Sequence, residues 1–221
     1  GQNHQVIQVT SPTPADGKSL VSANLAVSLA NANKRTLIID ADLRRPTQHE
    51  IHRVEREPGL SEVLIDKCEL TDAIQRTGID NLDILPSGTL PPNPAELLAM
   101  PGYGQVVEAV REKYDYVIVD SPPVLVVSDP LNSATAADGL VLVVPIRKHH
   151  ATACVRAKEQ IDSVEANLMG VVVNDLENRL DSHRTRFGRY GYGRYGYGSQ
   201  YTYGDYYEEK AKSAASTVGQ R

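Results

Sequence analysis

The segment Thr10-Ser11-Pro12-Thr13-Pro14-Ala15-Asp16-Gly17-Lys18-Ser19 sits where an apolar, β-branched run ends and a helical pattern begins. Glycine, lysine and a hydroxyl side by side at such a junction are the parts of a phosphate-binding loop. Backbone N–H groups wrap a β-phosphate and the helix N-terminus adds positive potential; Lys18 reaches the β/γ oxygens and Ser19 ligates Mg²⁺. The nucleotide-facing stretch is then Ala15, Asp16, Gly17, Lys18, Ser19 and Leu20. The match is partial: Pro12 replaces the usual first glycine, and Ala15 stands where glycine is common. An ordinary strand-to-helix turn containing Gly-Lys-Ser is the alternative.

Two further segments weigh against that alternative. Leu37-Ile38-Ile39-Asp40-Ala41-Asp42-Leu43-Arg44-Arg45-Pro46 places two carboxylates at the end of an apolar run. Positions i and i+2 leaving a strand point the same way, so Asp40 and Asp42 can face one ligand. Val117-Ile118-Val119-Asp120-Ser121-Pro122-Pro123 ends another run with a third carboxylate, the Walker-B position for a Mg²⁺ shell. Each aspartate alone reads as a helix cap or turn residue. Three together with Gly-Lys-Ser do not, because a bare cluster repels itself and a divalent cation relieves the repulsion.

The elements that must hold these residues follow from the apolar pattern. Short β-branched runs at Val6–Thr10, Thr36–Ile39, Leu82–Leu85, Tyr116–Val119, Gly139–Pro145 and Gly170–Val173 are apolar on both faces. They read as strands buried in a parallel sheet. Helical patterns lie between them at Lys18–Ala32 (with Leu20, Leu25, Val27 and Leu29 as its apolar residues), Gly59–Ile65, Pro94–Leu98, Tyr103–Lys113 and His150–Ala166. Alternation of this kind predicts βαβ units: an α/β, P-loop NTPase-like layered fold with a mostly parallel sheet flanked by helices. Its ligands bind beyond the carboxyl ends of the strands, where the loop and the aspartates lie.

Composition narrows the class further. The chain has 221 residues, 23 Lys+Arg against 28 Asp+Glu, and two distant cysteines, Cys68 and Cys154. This argues against a nucleic-acid-binding body, a disulfide scaffold and a thiolate zinc site, and fits a reducing cytosolic setting. The longest apolar run, Gly139 to Ile146, is strand-sized, and no secretory signal opens the sequence. There is no Trp and one Phe, but 11 Tyr. Eight of these (Tyr190, Tyr192, Tyr195, Tyr197, Tyr201, Tyr203, Tyr206 and Tyr207) alternate with Gly and Arg. The expected division is a domain over 1–178, with an aliphatic core, and a flexible tyrosine-cluster tail over 179–221.

These motifs resemble those of the bacterial tyrosine kinases (BY-kinases), the cytoplasmic catalytic domains of capsule and exopolysaccharide co-polymerases. Thr-Ser-Pro-Thr-Pro-…-Gly-Lys-Ser is similar to their Walker A. Ile-Ile-Asp-Ala-Asp-Leu-Arg-Arg-Pro resembles their Walker A′, the family's most specific mark, and Ile-Val-Asp-Ser-Pro-Pro their Walker B. Pro91–Leu98 and the terminal tyrosines fit the same pattern. The resemblance implies an ATP- and Mg²⁺-dependent protein-tyrosine kinase that phosphorylates its own tail and serves polysaccharide synthesis and export. By it Lys18 and Ser19 bind nucleotide and metal, Asp42 and Asp120 hold the metal, and Asp40 takes the tyrosine proton. Lys18, Asp40 and Asp42 are thus the catalytic set, and Ser19, Asp42 and Asp120 the metal ligands. Asn174 either contacts the adenine or is a strand-end turn residue. The expected partners are further copies of the chain and a membrane-embedded activator or co-polymerase segment, on the same or a separate chain. The expected location is cytoplasmic, at the inner face of the membrane. The sequence begins just before the first strand, without the family's preceding Glu-Ala-Phe-Arg-type helix. Glu50, Arg53 and Arg56 echo its acidic–basic spacing but read as a solvated helix face.

The alternative function is a P-loop switch ATPase of the partition or septum-positioning type. Those proteins carry a lysine five residues before the loop lysine, where this chain has Thr13, and end in an amphipathic helix rather than a Tyr/Gly tail. A nucleic-acid role for the Arg/Tyr tail is disfavoured by Asp205, Glu208, Glu209 and the net charge of −5.

Overall fold

Side chains of the central strands alternate between two apolar layers. Val6, Leu37, Ile39, Val117 and Val119 face one layer, and Ile7, Val9, Ile38, Ile84, Ile118 and Val143 the other. A strand buried on both faces belongs inside a parallel sheet covered by helices, and the computed structural model, which describes residues 5–146 and 151–174, has that arrangement.

Seven strands form one sheet: β1 (Val6–Thr10), β2 (Thr36–Asp40), β3 (Gln75–Arg76), β4 (Leu82–Leu85), β5 (Tyr116–Asp120), β6 (Gly139–Pro145) and β7 (Leu168–Asn174). Their order is β3-β4-β2-β5-β1-β6-β7. All neighbours are parallel except the short β3, which runs antiparallel to β4. The helices are α1 (Lys18–Asn31), α2 (Gln48–His52), α3 (Leu60–Leu64), α4 (Leu70–Ala73), α5 (Pro94–Ala99), α6 (Pro101–Arg111), α7 (Asp129–Ala134) and α8 (Ala151–Ser163). The expected elements are present within a few residues of their bounds. The short elements α2, α4, α7 and β3 carry too few residues to show a period.

The face of α1 departs from expectation in part: Leu25, Val27 and Leu29 pack half-buried against the core as expected. Leu20 is 46% exposed, whereas Ser22, Ala23, Ala26 and Ala30 are the residues turned inward. Small side chains at i, i+3 and i+7 let this helix lie close to the sheet, which a leucine stripe would prevent. The core is also not wholly aliphatic: Tyr103 of α6 is buried among Leu60, Leu97 and Leu98. The β7 valines expected inside the sheet are largely open to solvent, Val173 by 61%, because β7 is an edge strand. Glu50 lies on α2, but Arg53 follows that helix with φ 57° and Arg56 lies beyond it, so the three share no helix face.

Buried polar contacts hold the carboxyl edge of the sheet together. Gln8 Nε2 donates to the Pro130 carbonyl at 2.8 Å and to Ser121 Oγ at 3.1 Å, and Ser133 Oγ donates back to Gln8 Oε1 at 3.1 Å. These bonds fix α7 against β1 and β5. At the opposite edge the Asp138 carboxylate accepts the Gln5 and Val6 amides and a bidentate bond from Arg111, which anchors the start of β1.

Candidate functional site

The loop between β1 and α1 is shaped by its backbone. Ala15 and Gly17 both have positive φ, 63° and 91°. Asp16 Oδ2 accepts from the Thr13 amide and hydroxyl, each at 2.8 Å, closing the loop on itself. Gly17 serves as the N-cap of α1, with no capping side chain and no acidic residue in the first turn. First-turn amides without a carboxylate among them suit a phosphate.

An alanine in the left-handed region is strained by roughly 1 kcal/mol relative to glycine. Ala15→Gly is therefore expected to raise folding stability by about 1 kcal/mol, measured by chemical denaturation. A neutral or negative change would show that the loop relaxes elsewhere at no cost.

Sheet pairing brings two aspartates side by side: Asp40 ends β2, Asp120 ends β5, and the two are register partners. Asp42 follows in the loop after β2, and all three are buried. Lys18 answers their charge. Its Nζ lies 2.8 Å from Asp42 Oδ2, 3.4 Å from Asp120 Oδ1 and 3.0 Å from Ser19 Oγ. Ser22 Oγ also donates to Asp120 Oδ1, at 3.4 Å. Burial lowers the lysine's proton affinity, but attraction to Asp120 and Asp42 outweighs it and holds the pKa above the ordinary lysine value. Asp40 is also shifted upward, but by different causes: burial, then the Asp120 and Asp42 charges, push its carboxyl well above the usual range.

Asp40 also has a structural duty. Its Oδ2 accepts the Thr47 and Gln48 amides at 3.0 and 2.9 Å and so caps α2, while its Oδ1 takes the Asp42 amide at 3.3 Å. The Asp42 loop is pinned from outside by Arg44, which forms a bidentate pair at 2.7 and 3.0 Å with the buried Asp129 of α7.

The structure therefore gathers Lys18, Ser19, Asp40, Asp42 and Asp120 at one point beyond the strand ends. Asn174 joins the rim, its Nδ2 donating to the Asp16 carbonyl at 2.9 Å and tying the end of β7 to the loop. Leu20 turns its side chain outward and can offer the site only its backbone. The eight tail tyrosines lie outside the described residues. Sequence reasoning missed Ser22, Gln48, the Thr13–Asp16 closure and the Arg44–Asp129 pair. Ser22, one helical turn beyond Lys18, and the Thr13–Asp16 closure, three residues apart, are local; Gln48 and the Arg44–Asp129 pair depend on contacts across the fold.

The donor set suits a magnesium nucleotide. Ser19 Oγ, Asp42 Oδ2 and Asp120 Oδ1 converge on one positive charge, the Lys18 ammonium, which marks where hard oxygen donors can surround a cation. Among the described residues no group of three His, Cys, Asp or Glu side chains forms a self-sufficient metal cage.

Comparison with known proteins bears on the family and the fold. A family model described as an AAA domain matches residues 4–171. Tyrosine-protein kinase YwqD of Bacillus subtilis is 39% identical over 185 residues, covering 84% of this chain and 77% of that protein. Tyrosine-protein kinase etk of Escherichia coli K12 is 35% identical over 176 residues, 80% of this chain but 24% of that longer protein. The solved kinase domain of Escherichia coli tyrosine kinase ETK superposes with a TM-score of 0.77 at 34% identity, covering 86% of this chain and 73% of that chain. A P-loop at the head of a parallel sheet, strand-end aspartates facing its lysine, and these similarities over most of the length place the chain in the family of bacterial tyrosine-protein kinases.

Proposed function

We propose that this chain is an ATP-dependent protein-tyrosine kinase that transfers the γ-phosphoryl group to its own C-terminal tyrosines. Transfer runs in trans within a homo-oligomer and regulates exopolysaccharide or capsule synthesis and export. The observation that carries the reading is the convergence of Asp42, Asp120 and Ser19 on the Lys18 ammonium, directly beneath an uncapped helix N-terminus.

The loop amides of residues 15–20 wrap the phosphates, and Lys18 swings from the carboxylates to the β/γ oxygens. Ser19, Asp42 and Asp120 would hold Mg²⁺, which when bound supplies positive charge to the phosphate oxygens. In this reading Asn174, tied to the Asp16 carbonyl, contacts the adenine. The tyrosine hydroxyl oxygen bonds to γ-phosphorus as the bridge to the β-phosphate breaks; ADP leaves and the phenolic proton passes to a base. Asp40 is that base. Its Oδ2 is committed to two amides, so Oδ1, with one long amide contact, is the oxygen that receives the proton. A carboxyl with raised proton affinity suits the task.

The division of labour is a domain over 1–178 and an acceptor segment over 179–221. No helix among the described residues is long and apolar enough to cross a membrane. In this reading a membrane-embedded activator or co-polymerase segment, on the same or a separate chain, recruits the domain to the cytoplasmic face.

Incubation with ATP and Mg²⁺ followed by mass spectrometry tests the proposal. Phosphate is expected on several of Tyr190, Tyr192, Tyr195, Tyr197, Tyr201, Tyr203, Tyr206 and Tyr207. Release of inorganic phosphate without phosphotyrosine would favour a switch ATPase instead. In the same assay Asp40→Asn is expected to lower turnover by about 10²–10⁴-fold with nucleotide affinity preserved, because the amide oxygen can still cap α2. Weak binding with normal saturated turnover would remove Asp40 as the base.

A further inference from the structure

Gln48, the first residue of α2, is buried and touches all three nucleotide motifs. Its backbone amide donates to Asp40 Oδ2 at 2.9 Å. Its side-chain Nε2 donates to Asp120 Oδ2 at 2.8 Å and to the Ser19 carbonyl at 3.0 Å, which uses both amide hydrogens. Its Oε1 is buried and has no hydrogen-bond partner. A buried amide oxygen without a donor costs about 1–3 kcal/mol, so its retention in the interior of a site calls for a reason.

We infer that Gln48 is a positioning residue for the metal-bound state of the kinase. By tying Asp120 Oδ2, it fixes the carboxylate rotamer that turns Oδ1 toward Lys18 and Ser22. By holding the Ser19 carbonyl with the same amide, it sets the spacing between the loop hydroxyl and the strand-end carboxylate. Those are the two donors that must share one cation. The unpartnered Oε1 adds an acceptor at the same place, and the waters of a hydrated divalent ion are donors. Asp120 therefore does not orient itself. Its direction is set by a residue from the helix that Asp40 caps, so the Walker A and B segments are tied by the Gln48 side chain and the A′ segment by its backbone amide.

The inference rests on the reading of Asp120 as a metal ligand, and its test separates the two. A fluorescent ADP analogue is titrated with and without Mg²⁺ against the full chain, Asp120→Asn, and Gln48→Met, which keeps length and apolar bulk but removes the donors. In Gln48→Met the metal-free thermal midpoint is expected to fall, because Asp120 Oδ2 and the Ser19 carbonyl lose a donor, while affinity without metal is expected to match that of the full chain. The enhancement of affinity by Mg²⁺ is expected to fall about tenfold or more in Gln48→Met, as outer-shell partners of metal ligands typically show. Loss of the enhancement in Asp120→Asn with its full retention in Gln48→Met would overturn the role of Gln48 alone. Retention in Asp120→Asn would overturn the metal reading itself. A fall in metal-free affinity equal to the fall with Mg²⁺ present in Gln48→Met would make the residue merely structural and likewise overturn the inference. A second measurement needs no variant: the Gln48 side-chain amide resonances of the ¹⁵N-labelled chain should shift on adding Mg²⁺ with ADP but not with ADP alone. Resonances unmoved by Mg²⁺ would refute the proposal.

Discussion

Lys18→Met is expected to abolish tyrosine phosphorylation, with a loss on the order of 10³-fold, the scale for removing a group aimed at developing phosphate or oxyanion charge. It is also expected to destabilise the domain, which the motif alone would not suggest. As a phosphate-binding side chain, Lys18 could be removed without consequence for the core. In the structure it is the cation bridging Asp42 and Asp120, with Asp40 close enough to contribute to its raised pKa. Taking one partner from a buried ion pair leaves uncompensated charge and costs about 3 kcal/mol or more. The sign of the pH dependence follows from the raised lysine pKa. A cation held above its unfolded value contributes in full below that value of 10.5, so the loss is present throughout neutral pH. In the Met variant part of the stability should return as acid protonates the clustered carboxylates, or when Mg²⁺ supplies the missing charge. Thermal unfolding at several pH values, with and without Mg²⁺, reads this directly. Phosphotyrosine at the level of the unaltered chain in a folded Lys18→Met protein would take the loop lysine out of the mechanism.

Transfer between chains is the second large effect. Eight tyrosines in a glycine-rich stretch offer many hydroxyls on a segment whose composition opposes a fixed fold. In the proposed reading these hydroxyls serve a neighbour's site rather than their own. A mixture of Lys18→Met protein carrying the intact tail with active protein whose eight tail tyrosines are all Phe should therefore place phosphotyrosine on the inactive chain. Labelling should rise with concentration. If the inactive chain stays unlabelled at every concentration while the unaltered protein labels itself, transfer is in cis. Each phosphate adds about −1.5 to −2 charges. Several of them would overturn the Arg-rich character around Arg184, Arg186, Arg189 and Arg194 and drive neighbouring tails apart. The labelled protein is accordingly expected to sediment as a smaller assembly than the unlabelled one.

Much of this molecule was legible in one dimension. A parallel sheet declares itself when strands such as Thr36–Ile39 and Tyr116–Val119 are apolar on both faces, because both faces must be covered. The chemistry declares itself when Gly17-Lys18-Ser19 follows one such strand and Asp40, Asp42 and Asp120 close two others, because strand ends converge in space. Local order and residue type were enough for both. Tertiary structure alone decided which groups touch. Leu20 and the α1 alanines changed places because closeness of helix to sheet, not hydrophobicity, selected the inner face. Asp40 acquired a capping duty, Lys18 a place between two carboxylates, and Gln48 its hold on Asp120 from 72 residues away. Such contacts depend on directions and distances between elements distant in sequence. No periodicity encodes these, since an amide donor on a short helix looks the same in the sequence whether it meets water or a buried carboxylate.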